Sequence, residues 1–481
     1  MIALSLEQLA DVVGGDLVDP SAGGRPVDDV VIDSRLARPG SLFVPLAGER
    51  TDGHRHIAAA LRAGASACLV AAEQAVAVLE ELGGAGGEHP PGHGRSAAVV
   101  VDDPADALLG LGAWVRQTVD PLVVAVTGSS GKTTTKDLAA AALSAQRVTV
   151  ANHGSYNNEL GVPLTCCRLE LSSQVLVAEV GARGPGHIAG LASVIAPDAA
   201  IVTTVSGAHL GMFGSVEQTA RAKAELVQSL SAGGTAILNA DDPRVAAMAA
   251  LAPAGVRVVT YGLSAEADWC AQELTLDTDA RASFTVRGVR VQVPVPGEHN
   301  VGNALAALAA ADLAGVELEA AARALAAAAV SPWRMELARS AAGVTVLNDA
   351  YNANPASTAA ALRTLVRVAV DGRRWAVLGH MAELGATSDE EHAGVGRLAV
   401  ELGVDRLLVV GEHAAAIAAG ARRAGAPAAT VLSTPDVDSA TALLRAQLWP
   451  GDAVLVKASR SAGLDRVAAA LLPADSAAGD A

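Results

Sequence analysis

The stretch Leu122-Val123-Val124-Ala125-Val126-Thr127-Gly128-Ser129-Ser130-Gly131-Lys132-Thr133-Thr134 sets the reading of this chain. Its first five residues form an unbroken apolar run of strand length, the pattern of a strand covered on both faces. A glycine turn and an Ala-rich helical segment follow at once. Glycines there let backbone N–H groups turn inward onto phosphate oxygens, and the start of the next helix adds favourable partial charge. Thr127, Gly128, Ser129, Ser130, Gly131, Lys132, Thr133 and Thr134 are therefore expected to cradle a nucleotide. Lys132 would reach the β- and γ-phosphates, and the Thr133 hydroxyl would face Mg²⁺. The general pattern has a glycine five positions before Gly131, where this chain has Val126. The loop is a short variant, TGxxGKT, anchored on Gly128. An incidental Gly-Ser turn would lack the buried strand before it and the helix after it.

Working outward, apolar strands recur at Val175–Val180, Ala200–Val205 and Thr235–Leu238, with helical patterns between them. Strands alternating with helices predict a parallel sheet with right-handed crossovers. A further block opens near Ser331, with strands at Val344–Leu347, Trp375–Leu378, Arg406–Val410 and Ala453–Val456, as in a doubly wound, Rossmann-like unit. The first ~115 residues carry shorter apolar runs, Val30-Val31-Ile32 and Leu42-Phe43-Val44, separated by turn signals. The chain reads as α/β in three domains, 1–117, 118–330 and 331–481, in keeping with ~150 residues per domain. The Gly- and Pro-rich stretch Gly83–Arg95 reads as a mobile loop, and the last nine residues as a frayed tail.

Composition narrows the function. With 35 basic and 51 acidic residues the formal charge is −16, which argues against a nucleic-acid binder. Aromatics make up 2% of residues, leaving few stacking platforms for single strands and cores built from Ala, Val and Leu. Cys68, Cys166, Cys167 and Cys270 fit no CxxC spacing and read as small buried hydrophobes in a reducing compartment. The opening MIALSLEQLADVVGG lacks a basic region and carries Glu7 and Asp11, unlike a secretory signal. Ala199–Val216 is free of formal charge, but Thr203, Thr204, Ser206, Gly207 and His209 interrupt it, so no membrane span is expected. A cytoplasmic location follows as an expectation.

Three residues after the loop are individually unremarkable. Glu179 ends an apolar strand, where open α/β sheets bind ligands, yet a solvated strand-end carboxylate is the commoner case. His209 lies in the Gly-rich turn SGAHLGMFG. Lys223 looks like an ordinary helix charge, and its i to i+2 relation to Glu225 makes no facing pair.

Together and in this order, these residues resemble the Mur ligase family of ATP-dependent amide ligases. The resemblance implies a central ATPase domain in which Glu179 and His209 bind Mg²⁺ and Lys223 is carbamylated by CO₂. Only an unprotonated amine reacts with CO₂, so such a lysine needs a depressed pKa. Two Mg²⁺ ions are implied, one held by Thr133 and Glu179, the other by His209 and the Lys223 carbamate. Asn348-Asp349-Ala350-Tyr351-Asn352-Ala353-Asn354-Pro355 is similar to the DDxYNANP signature of the branch that adds D-alanyl-D-alanine to a UDP-N-acetylmuramoyl-tripeptide. Asn348 replaces the commoner Asp; the ribose-facing role goes to Asp349, and Asn348 stays unassigned. The same segment is also an Asn/Pro turn that ends a strand and opens a helix.

Further matches are Asn152, Asn157-Asn158, Gly161-Val162-Pro163, Gly297-Glu298-His299-Asn300 with Asn303, Arg334 and Lys457-Ala458-Ser459-Arg460. Asp33-Ser34-Arg35, Pro39–Phe43 and Asp52-Gly53-His54 resemble the family's UDP-sugar-binding domain. The resemblance implies that Asn300, Arg334 and Asp349 hold the adenosine of ATP. It assigns Ser34, Arg35, Asn157, Asn158, Tyr351, Asn352 and Asn354 to the UDP-sugar and peptide substrates, the last three on the dipeptide side. The implied reaction runs through an acyl phosphate to an amide, ADP and phosphate. A monomer without nucleic-acid or membrane partners is expected. The alternatives are a sister amide ligase, adding the third stem residue or glutamate to folate, and a nucleotide-binding switch that ligates nothing. The acceptor's third residue, lysine or a diaminopimelic acid, leaves no mark in these motifs.

Overall fold

The computed structural model describes residues 1–48, 51–83, 98–207 and 210–472. The stretch Gly83–Arg95, apart from Gly83, and the nine-residue tail lie outside the described residues. By internal contacts the chain divides into two units: Met1–Ala125, Arg147–Gly181 and Ala189–Asp198 form the first, and Val126–Gln146, Ala182–Ile188 and the chain from Ala199 onward form the second.

In the first unit, Ser5 caps the helix Leu6–Val13 through a reciprocal box with Gln8, and Gly14 closes it in the left-handed conformation, the pairing of signals expected at helix ends. A five-stranded sheet runs in the order Asp16–Leu17, Ala98–Val101, Ala67–Ala71, Ser41–Phe43, Asp29–Val31, parallel except for the first strand. Phe43, Ile57, Leu61, Cys68 and Val70 close its core. The expected strands at Val30 and Leu42 thus appear one residue earlier. Asp103 caps and Pro104 opens the helix Pro104–Val119, which leads to the strand Leu122–Thr127. Val175–Glu179 pairs in parallel with Thr149–Ala151. Cys166 and Cys167 end the helix Gly161–Cys167, both buried.

In the second unit, Ala199–Val202, Thr235–Asn239, Arg257–Gly262 and Trp269–Cys270 lie side by side, all parallel. The helix Lys132–Ser144 packs against the helix Asn300–Leu313. An antiparallel sheet of Gln272–Leu276, Arg281–Val286 and Val289–Pro296 intervenes, an element the sequence reading did not anticipate. The later sheet has the order Glu336–Arg339, Thr345–Asn348, Ala453–Lys457, Arg374–Leu378, Arg406–Val410, Val431–Thr434, parallel except at the first edge. Its strands bury both faces: Trp375 and Val377 point into one core, Ala376 and Leu378 into the other, as period-two geometry requires. The α/β reading with parallel sheets holds. Among the described residues no helix is long and apolar enough to cross a membrane.

Candidate functional site

The phosphate loop is shaped by a strand it does not follow in sequence. Gly128 has φ 149°, and a Cβ there would run into the Thr203 hydroxyl. Gly131 has φ 84°, and a Cβ would sit 2.6 Å from Asn303 Oδ1; no other residue type fits either position without strain. Between them, the Ser129 N–H donates to the Thr204 carbonyl (2.7 Å) and the Ser130 N–H to Thr204 Oγ1 (3.2 Å). Thr203 Oγ1 donates to the Ser130 carbonyl at 2.6 Å. The strand expected at Ala200–Val205 stops at Val202; beyond it Thr203, Thr204 and Ser206 hydrogen-bond the loop, and the Val205 N–H donates to Asp242 Oδ2 (2.7 Å). Thr203 and Thr204 were missed by sequence reasoning; the available signal was a Thr pair ending a strand adjacent in order to the loop strand.

Lys132 Nζ donates to the Gly128 carbonyl at 2.9 Å, folding across the loop. Thr133 and Thr134 are buried in the first turn of a helix whose N-cap, Gly131, offers no side chain. That leaves the helix start oriented for an anionic ligand. Behind it, Thr135 Oγ1 donates to Asn303 Oδ1 (3.1 Å), Asn303 Nδ2 to Asn300 Oδ1 (2.8 Å), and Asn300 Nδ2 to the Pro296 carbonyl (2.7 Å). Asn300 is buried, and its amide serves this chain of bonds, which braces the loop helix.

The segment after Ser331 contributes to the same unit. The Ser331 N–H donates to Asp137 Oδ2 on the loop helix (2.8 Å). Trp333 and Met335 both take positive φ, 60° and 52°, a conformation L residues adopt at a cost. The Arg334 guanidinium lies 4.1 Å from the Tyr351 ring centroid, and that of Arg460 lies 4.0 Å from the Trp333 ring, within cation–π range. Tyr351 is thus a platform for Arg334. Asp349 Oδ1 accepts from the Met335 N–H (3.1 Å) and Oδ2 from Lys457 Nζ (2.6 Å). Lys457 also donates to the Asn352 carbonyl at 2.8 Å. Asn348 is buried, with Oδ1 accepting from the Ala350 N–H at 3.3 Å, so it closes the turn into YNANP. Asn352 Oδ1 accepts from the Ala353 N–H (2.9 Å). Asn354 caps the helix Pro355–Arg367 and donates from Nδ2 to Ser130 Oγ at 3.0 Å.

Lys223 lies on the helix Val216–Gln228, capped by Ser215. Only 1% of it is exposed, and Nζ is 5.8 Å from the Phe213 ring centroid. That burial sets it apart from an ordinary helix-surface charge. Glu225 turns elsewhere, accepting from the Gly186 N–H at 2.7 Å. His209 lies outside the described residues.

In the first unit, Glu179 ends its strand with 1% exposure. Asn157 Nδ2 donates to Glu179 Oε1 (2.6 Å), and the Glu179 N–H donates to Asn152 Oδ1 (2.6 Å). A buried carboxylate held by Asn157, on a backbone pinned by Asn152, is not the solvated strand end that residue statistics favour. Asn158 Oδ1 accepts from the Gly161 N–H (2.9 Å), opening the next helix. Ser34 and Arg35 form a short 3₁₀ turn capped by Asp33. The exposed Arg35 guanidinium pairs with Asp33 at 2.6 Å and, with the Arg35 N–H, holds that carboxyl down at about 2. Nearby in sequence, buried His54 lies 2.7 Å through Nδ1 from Asp52, and its Nε2 accepts from the Ala71 N–H (3.1 Å). That acceptor fixes the Nδ1–H tautomer.

The chain matches three family models in order: "Mur ligase family, catalytic domain" over residues 26–112, "Mur ligase middle domain" over 126–311, and "Mur ligase, glutamate ligase domain" over 333–460. The chain belongs to the Mur ligase family. This Mur ligase is 43% identical to the UDP-N-acetylmuramoyl-tripeptide--D-alanyl-D-alanine ligase of Mycobacterium bovis over 99% of both chains. Its fold is similar to MurF from Acinetobacter baumannii, with a TM-score of 0.83, 30% identity and 98% of each chain covered. It is also similar to MurF ligase from Thermotoga maritima in complex with ADP, with a TM-score of 0.75, 26% identity, and 92% and 96% of the chains covered.

Proposed function

We propose that this Mur ligase joins D-alanyl-D-alanine to the C-terminal carboxylate of a UDP-N-acetylmuramoyl-tripeptide, with ATP converted to ADP and phosphate. The observation that carries the reading is 43% identity over 99% of both chains to a ligase of that name, together with a phosphate loop that contacts the YNANP turn through Ser130 and Asn354. A carboxylate oxygen attacks the γ-phosphorus and the bond to the ADP oxygen breaks. The dipeptide amine then attacks the acyl carbon, phosphate leaves and the amine proton is released. Two anions must meet in the first step, so catalysis rests on positioning and charge neutralisation.

Lys132 is assigned to the β- and γ-phosphates. Arg334, Asp349 and Asn300 are assigned to the adenosine end, Asn300 through its brace on the loop helix. Ser34, Arg35, Asn157 and Asn158 are assigned to the UDP-linked acceptor, and Tyr351 and Asn352 to the dipeptide side. The hydroxyl of Thr133 and the carboxylate of Glu179 are hard oxygen donors suited to Mg²⁺, and the buried Lys223 suits carbamate formation. Two Mg²⁺ ions, held by Thr133, Glu179, His209 and the Lys223 carbamate, would neutralise the phosphates and the incoming carboxylate when bound. The division into a UDP-sugar domain at 1–117, an ATPase domain at 118–330 and a C-terminal domain at 331–481 is supported by the three family matches, each of which falls inside one of them. A cytoplasmic monomer fits nucleotide-linked substrates of this kind.

The test offers D-alanyl-D-alanine, a diamino acid and glutamate in competition, with ATP and the tripeptide acceptor present. ADP release should depend on the dipeptide, and the product mass should show its addition. Preference for either amino acid, or ADP release indifferent to all three amines, would overturn the reading.

A further inference from the structure

We propose that Asn354 is a positioning residue of the phosphate loop, setting the direction of the Ser130 hydroxyl toward the nucleotide. It thereby leaves the dipeptide side, where sequence resemblance put it. The consequence for turnover rests on the ligase reading; the grip on nucleotide does not.

The argument begins with the helix cap. Asn354 Oδ1 accepts from the Ser357 N–H at 2.8 Å. A backbone N–H can only donate, so the atom facing Ser357 must be the amide oxygen. That settles the orientation of the amide, which a bare side-chain contact would leave open. The atom 3.0 Å from Ser130 Oγ is therefore the Nδ2 donor, and the serine oxygen must accept. A hydroxyl has one hydrogen. With its oxygen accepting from Asn354, the Ser130 hydrogen points away from the helix cap.

The rest of Ser130 is already fixed. Its N–H donates to Thr204 Oγ1 (3.2 Å) and its carbonyl accepts from Thr203 Oγ1 (2.6 Å). Asn354 adds the third restraint, at the middle of a loop whose ends are Gly128 and Gly131. Capping alone does not call for this residue: serine, threonine and aspartate cap as well, but only asparagine among them carries a second, donating arm. The amide thus closes a helix with one atom and aims a hydroxyl donor with the other.

Asn354→Ser keeps an uncharged cap and loses the reach to Ser130. Calorimetric titration of the full chain with ATP and Mg²⁺ gives Kd, and thermal unfolding reports the cap. We expect Asn354→Ser and Ser130→Ala each to weaken ATP binding about tenfold, the scale of one hydrogen bond to a charged group. The double variant should be no weaker than Ser130→Ala, and Ser130→Thr, which restores a hydroxyl, should recover most of the loss. ATP binding by Asn354→Ser within twofold of the parent, or losses that multiply in the double variant, would overturn the proposal. Should Asn354→Ser unfold, equal ATP affinity of Ser130→Ala and the parent would overturn it alone. Failure of the parent to join the dipeptide while the Kd pattern holds would remove the ligase reading and leave this one intact.

Discussion

Lys457 Nζ lies 2.6 Å from Asp349 Oδ2, with 2% of the lysine side chain and 16% of the aspartate side chain exposed. The pair joins the ends of two neighbouring parallel strands, Thr345–Asn348 and Ala453–Lys457. Removing one partner of such a pair leaves the other charged and poorly solvated. Lys457→Met is expected to destabilise the protein by about 3 kcal/mol. Adding Asp349→Asn should recover part of that loss, because it removes the stranded charge. Denaturant unfolding of the two single variants and the double variant checks this; additive losses would mean the pair is not coupled.

Gly131→Ala places a methyl in a left-handed position, 2.6 Å from Asn303 Oδ1. Strain of about 1–2 kcal/mol at the residue and a displaced Asn303 should raise the Kd for ATP by at least about tenfold. Lys132→Ala should abolish ADP release while leaving binding of the UDP-linked acceptor unchanged. Titrations with each ligand separate these outcomes, and normal turnover by Lys132→Ala would remove the role given to that residue.

Lys223, buried on the helix Val216–Gln228, carries the expectation for the carbamate. Lys223→Ala should lose most ligation, about 100-fold or more, and regain part of it with a small added carboxylic acid standing in for the carbamate. A fully active Lys223→Ala enzyme would exclude the carbamate.

Asp52 ties stability to pH. The His54 N–H and the Gln74 side chain hold its carboxyl down at about 2, from an ordinary value of 3.8. A depressed carboxyl stabilises the fold fully above the unfolded value, and that share is lost as pH falls through about 2. Solvent reaches this carboxylate, so the contribution is about 1 kcal/mol rather than the full shift. Asp52→Asn should be less stable than the parent at pH 6, with the gap narrowing at pH 4 and again at pH 3. A gap constant across that range would assign the loss to geometry instead of charge.

The loop strand, the glycine turn and the strands of the later sheet were legible because burial on both faces writes continuous apolar runs, and because Gly128 and Gly131 have no substitutes. The antiparallel strands between Gln272 and Pro296 were not. Arg281–Val286 alternates buried and half-exposed residues over six positions, too short a pattern to stand out in an Ala-rich chain. At the site, the burial of Glu179 and Lys223 was hidden: one looked like a strand-end charge, the other like a helix-surface charge, and only tertiary packing tells them apart. Thr203 and Thr204 act on the loop from about 75 positions along the chain, a relation that no local spacing records. Asn354 was visible as part of YNANP, but its bond to Ser130 depends on which amide atom the helix cap consumes.

The two adjoining cysteines at the end of Gly161–Cys167 bear on how the protein can be handled. Burial pushes the thiols of Cys68 and Cys166 up to about 12 and that of Cys167 higher still, so almost no thiolate forms at neutral pH. Cys270, on the edge strand Trp269–Cys270, is partly open to solvent. A maleimide or spin label added to the native enzyme would accordingly mark a single position, with no prior cysteine removal.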